Sequence, residues 1–179
     1  MATNFIKVIA ISFASLLLNG CNPSIIGEED CDGISRGATK KNLITISPLK
    51  PIYQQGEEVI FKLDIPSQNN YYESPIDIYL QTNASNGRLT TNSLLFDNNT
   101  LVFIKGSQNE GAPNWFNVHY NPQNQTYELE IMVKLNRVGN YQIFTSDDID
   151  FTPNQKCNKV TLVTSIMGSI DNVINFTVE

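Results

Sequence analysis

Histidine is nearly missing from this chain: His119 is the only copy. A zinc centre draws on several His or Cys ligands, and the supply here is that one histidine and three cysteines, Cys21, Cys31 and Cys157. Cations are scarce as well. Twelve Lys and Arg stand against 18 Asp and Glu, for a net charge of −6 over 179 residues. Phosphate contacts need clusters of Lys and Arg, so this balance excludes a nucleic-acid partner, and it repels an anionic lipid surface. The apolar run Val8 to Leu18 is shorter than the about 20 residues that a membrane-spanning helix needs. There is no internal repeat, no low-complexity block and no amphipathic helical period.

What is present begins with that apolar run. Lys7 supplies the cation of a short n-region, and Leu18-Asn19-Gly20-Cys21 closes the h-region on small residues. An apolar stretch of this length with such an ending reads as a signal peptide. The order Leu, Asn, Gly, Cys resembles the lipobox of bacterial lipoprotein precursors. The resemblance implies cleavage before Cys21 and a diacylglycerol thioether on its sulfur, usually with an N-acyl chain. Two or three acyl chains anchor durably where one does not. The implied membrane partner is therefore engaged through lipid on Cys21. Asn22 is not Asp, which in the family's sorting rule directs the protein to the outer membrane. Abundant Asn, with Lys favoured over Arg, resembles envelope lipoproteins of the Bacteroidota type.

Lipidation would consume Cys21 and leave Cys31 and Cys157 in an oxidising compartment. Two readings stay open for that pair. A bridge would close a long loop and contribute about 4–5 kcal/mol in the chain-entropy account; alternatively both are free thiols.

Three segments follow from composition: a signal peptide over 1–20, a lipidated tether over 21–41 and one folded domain over 42–179. The tether is polar, Gly-containing and without period. From residue 42 the pattern alternates. Val59, Phe61, Leu63 and Ile65 share one face of a strand, and Tyr127, Leu129, Ile131, Val133 and Leu135 share one face of another. Ile76, Ile78 and Leu80 suggest a third strand. Asn86-Gly87 carries a tight-turn signal. Ser93 to Phe96 and Leu101 to Ile104 read as a hairpin, and residues 146–158 as an acidic loop. The 22 asparagines fall mostly at expected turns. About seven to nine short strands with regular turns indicate an all-β sandwich or small barrel.

One stretch narrows that choice. Leu135-Asn136-Arg137-Val138-Gly139-Asn140-Tyr141-Gln142-Ile143 resembles the E–F corner of immunoglobulin-like domains. There a tyrosine opens strand F and its hydroxyl bonds back to the chain. Ile143 stands where antibody domains place a cysteine. The resemblance thus implies an immunoglobulin-like antiparallel β-sandwich without the core disulfide. Tyr141 is expected to be buried and to face Phe61 or Leu63.

Candidate site residues are few. Trp115, Tyr71 and Tyr72 lie in or beside polar loops, where aromatics stack on sugar rings or anchor interfaces; they serve equally well as caps on the core. Asp147, Asp148 and Asp150 are weak candidates for calcium, because carboxylates two apart can share an ion, against the plainer reading of a solvated acidic loop. His119 falls on a polar strand face. Gly33-Ile34-Ser35-Arg36-Gly37 matches G-x-S-x-G but lacks the strand before and the helix after that a nucleophilic serine requires. No catalytic constellation and no cofactor is expected. The function expected is a lipid-anchored cell-envelope binding module for a glycan, peptide or protein. The alternatives are an accessory subunit of an outer-membrane complex and, more weakly, an envelope hydrolase.

Overall fold

The computed structural model describes residues 35–72, 74–144, 147–152, 158–171 and 173–179. Cys21, Cys31, Cys157 and Gly33 lie outside the described residues, and with them the lipidation site, the cysteine pair and the start of the serine motif. Fourteen strands run in order: β1 (Arg36–Ser47), β2 (Ile52–Tyr53), β3 (Glu58–Pro66), β4 (Gln68–Asn69), β5 (Ile76–Asp77), β6 (Asn86–Thr90), β7 (Thr100–Lys105), β8 (Ser107–Gln108), β9 (Trp115–Asn121), β10 (Thr126–Lys134), β11 (Gly139–Phe144), β12 (Asp147–Phe151), β13 (Val160–Ile166) and β14 (Val173–Val178). One five-residue helix, α1 (Ile78–Thr82), follows β5. The all-β class read from the alternation is the class observed.

The main sheet runs β7-β10-β3-β1-β13-β12-β6-β9-β8, and a further pairing of β9 with β10 closes it into a ring. Its strongest seam is β3 against β10. Val59, Phe61, Leu63 and Ile65 stand opposite Val133, Ile131, Leu129 and Tyr127, and all eight side chains are fully buried. Each is worth about 1.5–3 kcal/mol of transfer energy. The alternate positions carry Lys62, Asp64 and Glu130 outward, with Lys62 and Asp64 ion-paired at 2.7 Å.

β1 starts at Arg36, so residues 36–41, expected as tether, are strand. The first half of β1 lies parallel to β13 and its last four residues lie antiparallel to β3. The register slips between Lys40 and Ile44, where Asn42 adopts a φ of +64° and its N–H is taken by Ser165 Oγ at 3.1 Å.

Four local expectations are corrected. Alternation over 76–81 gives way to α1, because Asp77 caps the helix by accepting from the Leu80 N–H and Asn83 closes it in the left-handed region. Leu80, expected inside, is exposed. Asn86-Gly87 is not a turn but the start of β6. Gly87 is required by packing instead: a Cβ there would lie 2.7 Å from Cε1 of Phe151. Residues 93–96 form no hairpin with β7. Ser93 caps a 3-10 turn over Leu94–Phe96, while β7 pairs with β10. The acidic stretch is not loop throughout, since Asp147–Phe151 is strand β12 between β13 and β6.

A second sheet, ordered β11-β14-β2, follows the corner at Gly139. Gly139 has a φ of +124° with open space where a Cβ would stand, so backbone angle alone selects glycine there. Tyr141 is buried as expected, and its hydroxyl donates to the Arg137 carbonyl at 2.9 Å. Its ring does not pair with Phe61 or Leu63. It stacks on Phe176, which in turn meets Tyr53 edge-on.

Candidate functional site

The three candidate aromatics are placed apart in role. Trp115 opens β9 and pairs with Thr90 of β6. The Arg88 guanidinium stands 4.5 Å from its ring centroid, and Gly111 packs so close that a Cβ would lie 3.1 Å from Cζ3. Trp115 is thus a half-buried ring already covered by its own chain. Tyr71 is buried, and its hydroxyl donates to the Pro66 carbonyl at 2.6 Å. Burial drives the Tyr71 hydroxyl far above its usual range. Tyr72 lies beside Arg36, whose guanidinium is 5.9 Å from the ring and whose carbonyl accepts the Tyr72 hydroxyl at 3.1 Å. Both tyrosines line a depression of about 460 Å³ at the start of β1.

The three aspartates divide by strand parity. Asp147 faces the interior while Asp148 and Asp150 face out. Asp150 accepts from Thr161 Oγ1 at 2.7 Å and from the Arg88 guanidinium at 2.9 Å, with Lys159 at 3.3 Å. Burial works against the Asp150 charge, but these three partners outweigh it and hold the carboxyl below its ordinary range. Asp147 is 2 % exposed. Burial pushes its carboxyl up to about 7, against a hydrogen bond from Thr91, and Oδ2 has no partner among the described residues. Among the described residues no three His, Cys, Asp or Glu converge on a metal position.

Cross-strand register lines up Thr161, Asp150, Arg88, Asn117 and Ser107 on one outer row. His119 sits beside that row, exposed, 3.4 Å from Ser107 Oγ. These polar groups largely satisfy one another. Ser35 precedes strand β1 rather than a helix, so it lacks the strained strand-to-helix turn of a nucleophilic serine.

A further concavity lies on the outer face of β2-β14-β11. Two adjoining depressions of about 630 and about 500 Å³ share Pro51, Gln142 and Asn175. The floor is an uncharged ladder of Asn140, Gln142, Asn175 and Thr177, with Thr177 Oγ1 donating to Asn140 Oδ1 at 2.9 Å. Leu49, Pro51, Ile170 and Val173 form apolar walls. Leu49, Ile52, Met167 and Ile170 are 45 %, 51 %, 54 % and 78 % exposed, which is unusual for large aliphatics brought to one end of a domain. Lys50 at the rim is tied to Glu57 at 2.9 Å.

The backbone under this trough is unfinished. Thr177 N–H donates to the Pro51 carbonyl at 3.0 Å, and Val173 N–H to the Ile170 carbonyl at 2.9 Å. Alternate residues of a strand turn their amides to opposite sides, so Asn175 points its N–H and C=O to this same side. A parallel ladder would next need the N–H of residue 51, and proline has none. Among the described residues the ladder stops there, so the Asn175 carbonyl lacks the donor that residue 51 would have supplied, and no ladder bond runs from the Asn175 N–H to this side. This site was not legible in the sequence because three distant segments, 49–52, 139–142 and 167–177, build it. The one local signal was Pro51.

No protein-family model matches the chain, and no curated protein matches it. Solved structures to which the chain is similar include the Reelin-N domain of F-spondin, at 9 % identity and a TM-score of 0.43 over 82 % of this chain and 92 % of that one, and the human F-spondin reeler domain, at 9 % identity and 0.42 over 82 % and 94 %.

Proposed function

We propose that the chain is a lipid-anchored binding module of a bacterial cell envelope, built on a variant immunoglobulin-like sandwich and held to the outer membrane through Cys21. The immunoglobulin-like reading is supported by the Tyr141 hydroxyl bonded back to Arg137 and by β1 pairing in turn with β13 and β3. The observation that carries the function is the double depression over β2-β14-β11. It lies just beyond the Ser47 end of β1. β1 has 12 residues, and the turn at Asn42 shortens it below the roughly 36 Å of an unbroken strand. The tether joins the Arg36 end, and Leu49 to Ile52 follow directly on the other.

Site-specific photo-crosslinking in intact cells tests this. A crosslinker at Gln142 should yield a discrete adduct, and one at Asn117, on the main sheet's outer row, should not. Equal labelling from both positions would overturn the reading. The exposed Leu49, Ile52, Met167 and Ile170 favour a second reading, an accessory subunit packed against a larger complex by this same end. In that case the Gln142 adduct would be stoichiometric and would co-purify without crosslinking.

A further inference from the structure

We infer that the trough over Asn175 receives an extended, uncharged peptide segment of a partner protein, which adds main-chain hydrogen bonds where Pro51 ends the ladder. The inference rests on the binding-module reading and names the ligand class of that site.

Three observations point to peptide. First, Asn175 offers an N–H and a C=O side by side on one residue, in strand conformation, facing a cavity of about 630 Å³. A peptide in extended form presents the matching C=O and N–H at the same spacing, which is the basis of recognition by strand addition. Second, the walls are aliphatic. Leu49, Pro51, Ile170 and Val173 suit Val, Ile or Leu side chains. A sugar ring would call for an aromatic platform, and the rings of this sheet, Tyr141 and Phe176, are turned inward and stacked on each other. Third, the charge matches. The chain carries a net −6; the trough floor is amide and hydroxyl, its rim Lys50 is paired with Glu57, and Asp171 adds one carboxylate to the lining. A trough with a carboxylate and a paired cation on its lining repels an acidic segment and accepts an uncharged one.

The test is a displayed library of random heptapeptides panned against the full chain, with Ile170→Asp as the counter-target. Ile170 is 78 % exposed, so its replacement leaves the fold intact. The expected winners are uncharged and rich in β-branched residues. They should shift the Asn175 amide resonance and slow its exchange with solvent, and they should bind Ile170→Asp about tenfold more weakly. N-methylation of the peptide residue facing Asn175 should cost about tenfold, the worth of one net hydrogen bond. Pro51→Ala restores the missing donor to the Asn175 carbonyl and should weaken binding similarly without loss of stability. Winners that bind Ile170→Asp equally, or that leave the Asn175 amide unmoved, overturn the proposal, as does the absence of any winner. Neutral oligosaccharides that shift Gln142 and Asn175 while no peptide does would overturn the peptide assignment and leave the binding-module reading standing. If neither class engages the trough, both fall.

Discussion

Tyr141 and Phe176 lie face to face, their ring centroids 4.7 Å apart and their planes within 12° of parallel. The pair joins the corner at Gly139 to the last strand, and Phe176 passes the contact on to Tyr53. The Tyr141 hydroxyl donates to the Arg137 carbonyl at 2.9 Å and accepts from Asn99 Nδ2 at 3.1 Å. Tyr141→Phe should therefore cost about 1–3 kcal/mol, since removing the hydroxyl leaves those partners unsatisfied. Tyr141→Ala should cost about 3–5 kcal/mol through the added cavity. Urea denaturation of the two variants checks both values. A neutral Tyr141→Phe would show that the corner is held by packing alone.

Trp115 should behave as a packing residue. A loop aromatic kept for a partner would be removable without loss of stability. Here the ring is packed against Gly111 and covered by Arg88. Trp115→Ala should cost about 1–3 kcal/mol, combining a lost cation–π contact with lost burial. It should leave labelling from Gln142 unchanged. Thermal unfolding together with the crosslinking assay reads both.

The contrast between these two aromatics shows what the sequence could reveal. β3 and β10 were legible because Val59 to Ile65 and Tyr127 to Leu135 alternate strictly, and period 2 has one structural reading over that length. The Gly139–Tyr141 corner was legible because its geometry is local. Residues 76–82 were misleading because one capping side chain, Asp77, outweighs a short apolar alternation. The role of Gly87 was hidden because the ring that excludes a Cβ belongs to Phe151, in another strand. The trough was hidden for the same reason on a larger scale. Its chemistry lies in backbone groups of Asn175, which no side-chain pattern records.

Anchoring is tested directly at Cys21. Cys21→Ser should block lipidation and move the protein from the detergent phase to the aqueous phase on phase separation, with a mass differing from wild type by the lipid. Unchanged partitioning with wild-type mass would refute the lipobox reading. Peptide mapping of unreduced protein from the same preparation decides whether Cys31 and Cys157 are bridged: a linked peptide is expected, and two alkylatable thiols would exclude it.

Asp147 should make stability fall as pH rises. Its carboxyl is interior, one of its oxygens has no partner among the described residues, and burial raises it from 3.8 to about 7 in the folded chain. Below about pH 4 both folded and unfolded states hold the proton, and the residue costs nothing extra. Between about pH 4 and 7 the folded state keeps a proton that the unfolded state has released, so each rise in pH favours unfolding. Above about pH 7 the carboxylate is charged in both states and the full penalty is present. At about 1.4 kcal/mol per pH unit of displacement, that penalty is on the order of 4 kcal/mol. Asp150 acts oppositely, and so does Glu128, which accepts from Lys105, Asn121 and Asn124 on β10's outer side. Their partners outweigh burial and hold both carboxyls low, so their stabilisation is lost only as pH falls. The difference between wild type and Asp147→Asn isolates the one residue. The variant should match wild type near pH 4 and exceed it in stability near pH 8, with the gap opening between. Urea midpoints across that range measure it. A constant gap would show that the Asp147 carboxyl ionises at its ordinary pKa in the folded protein.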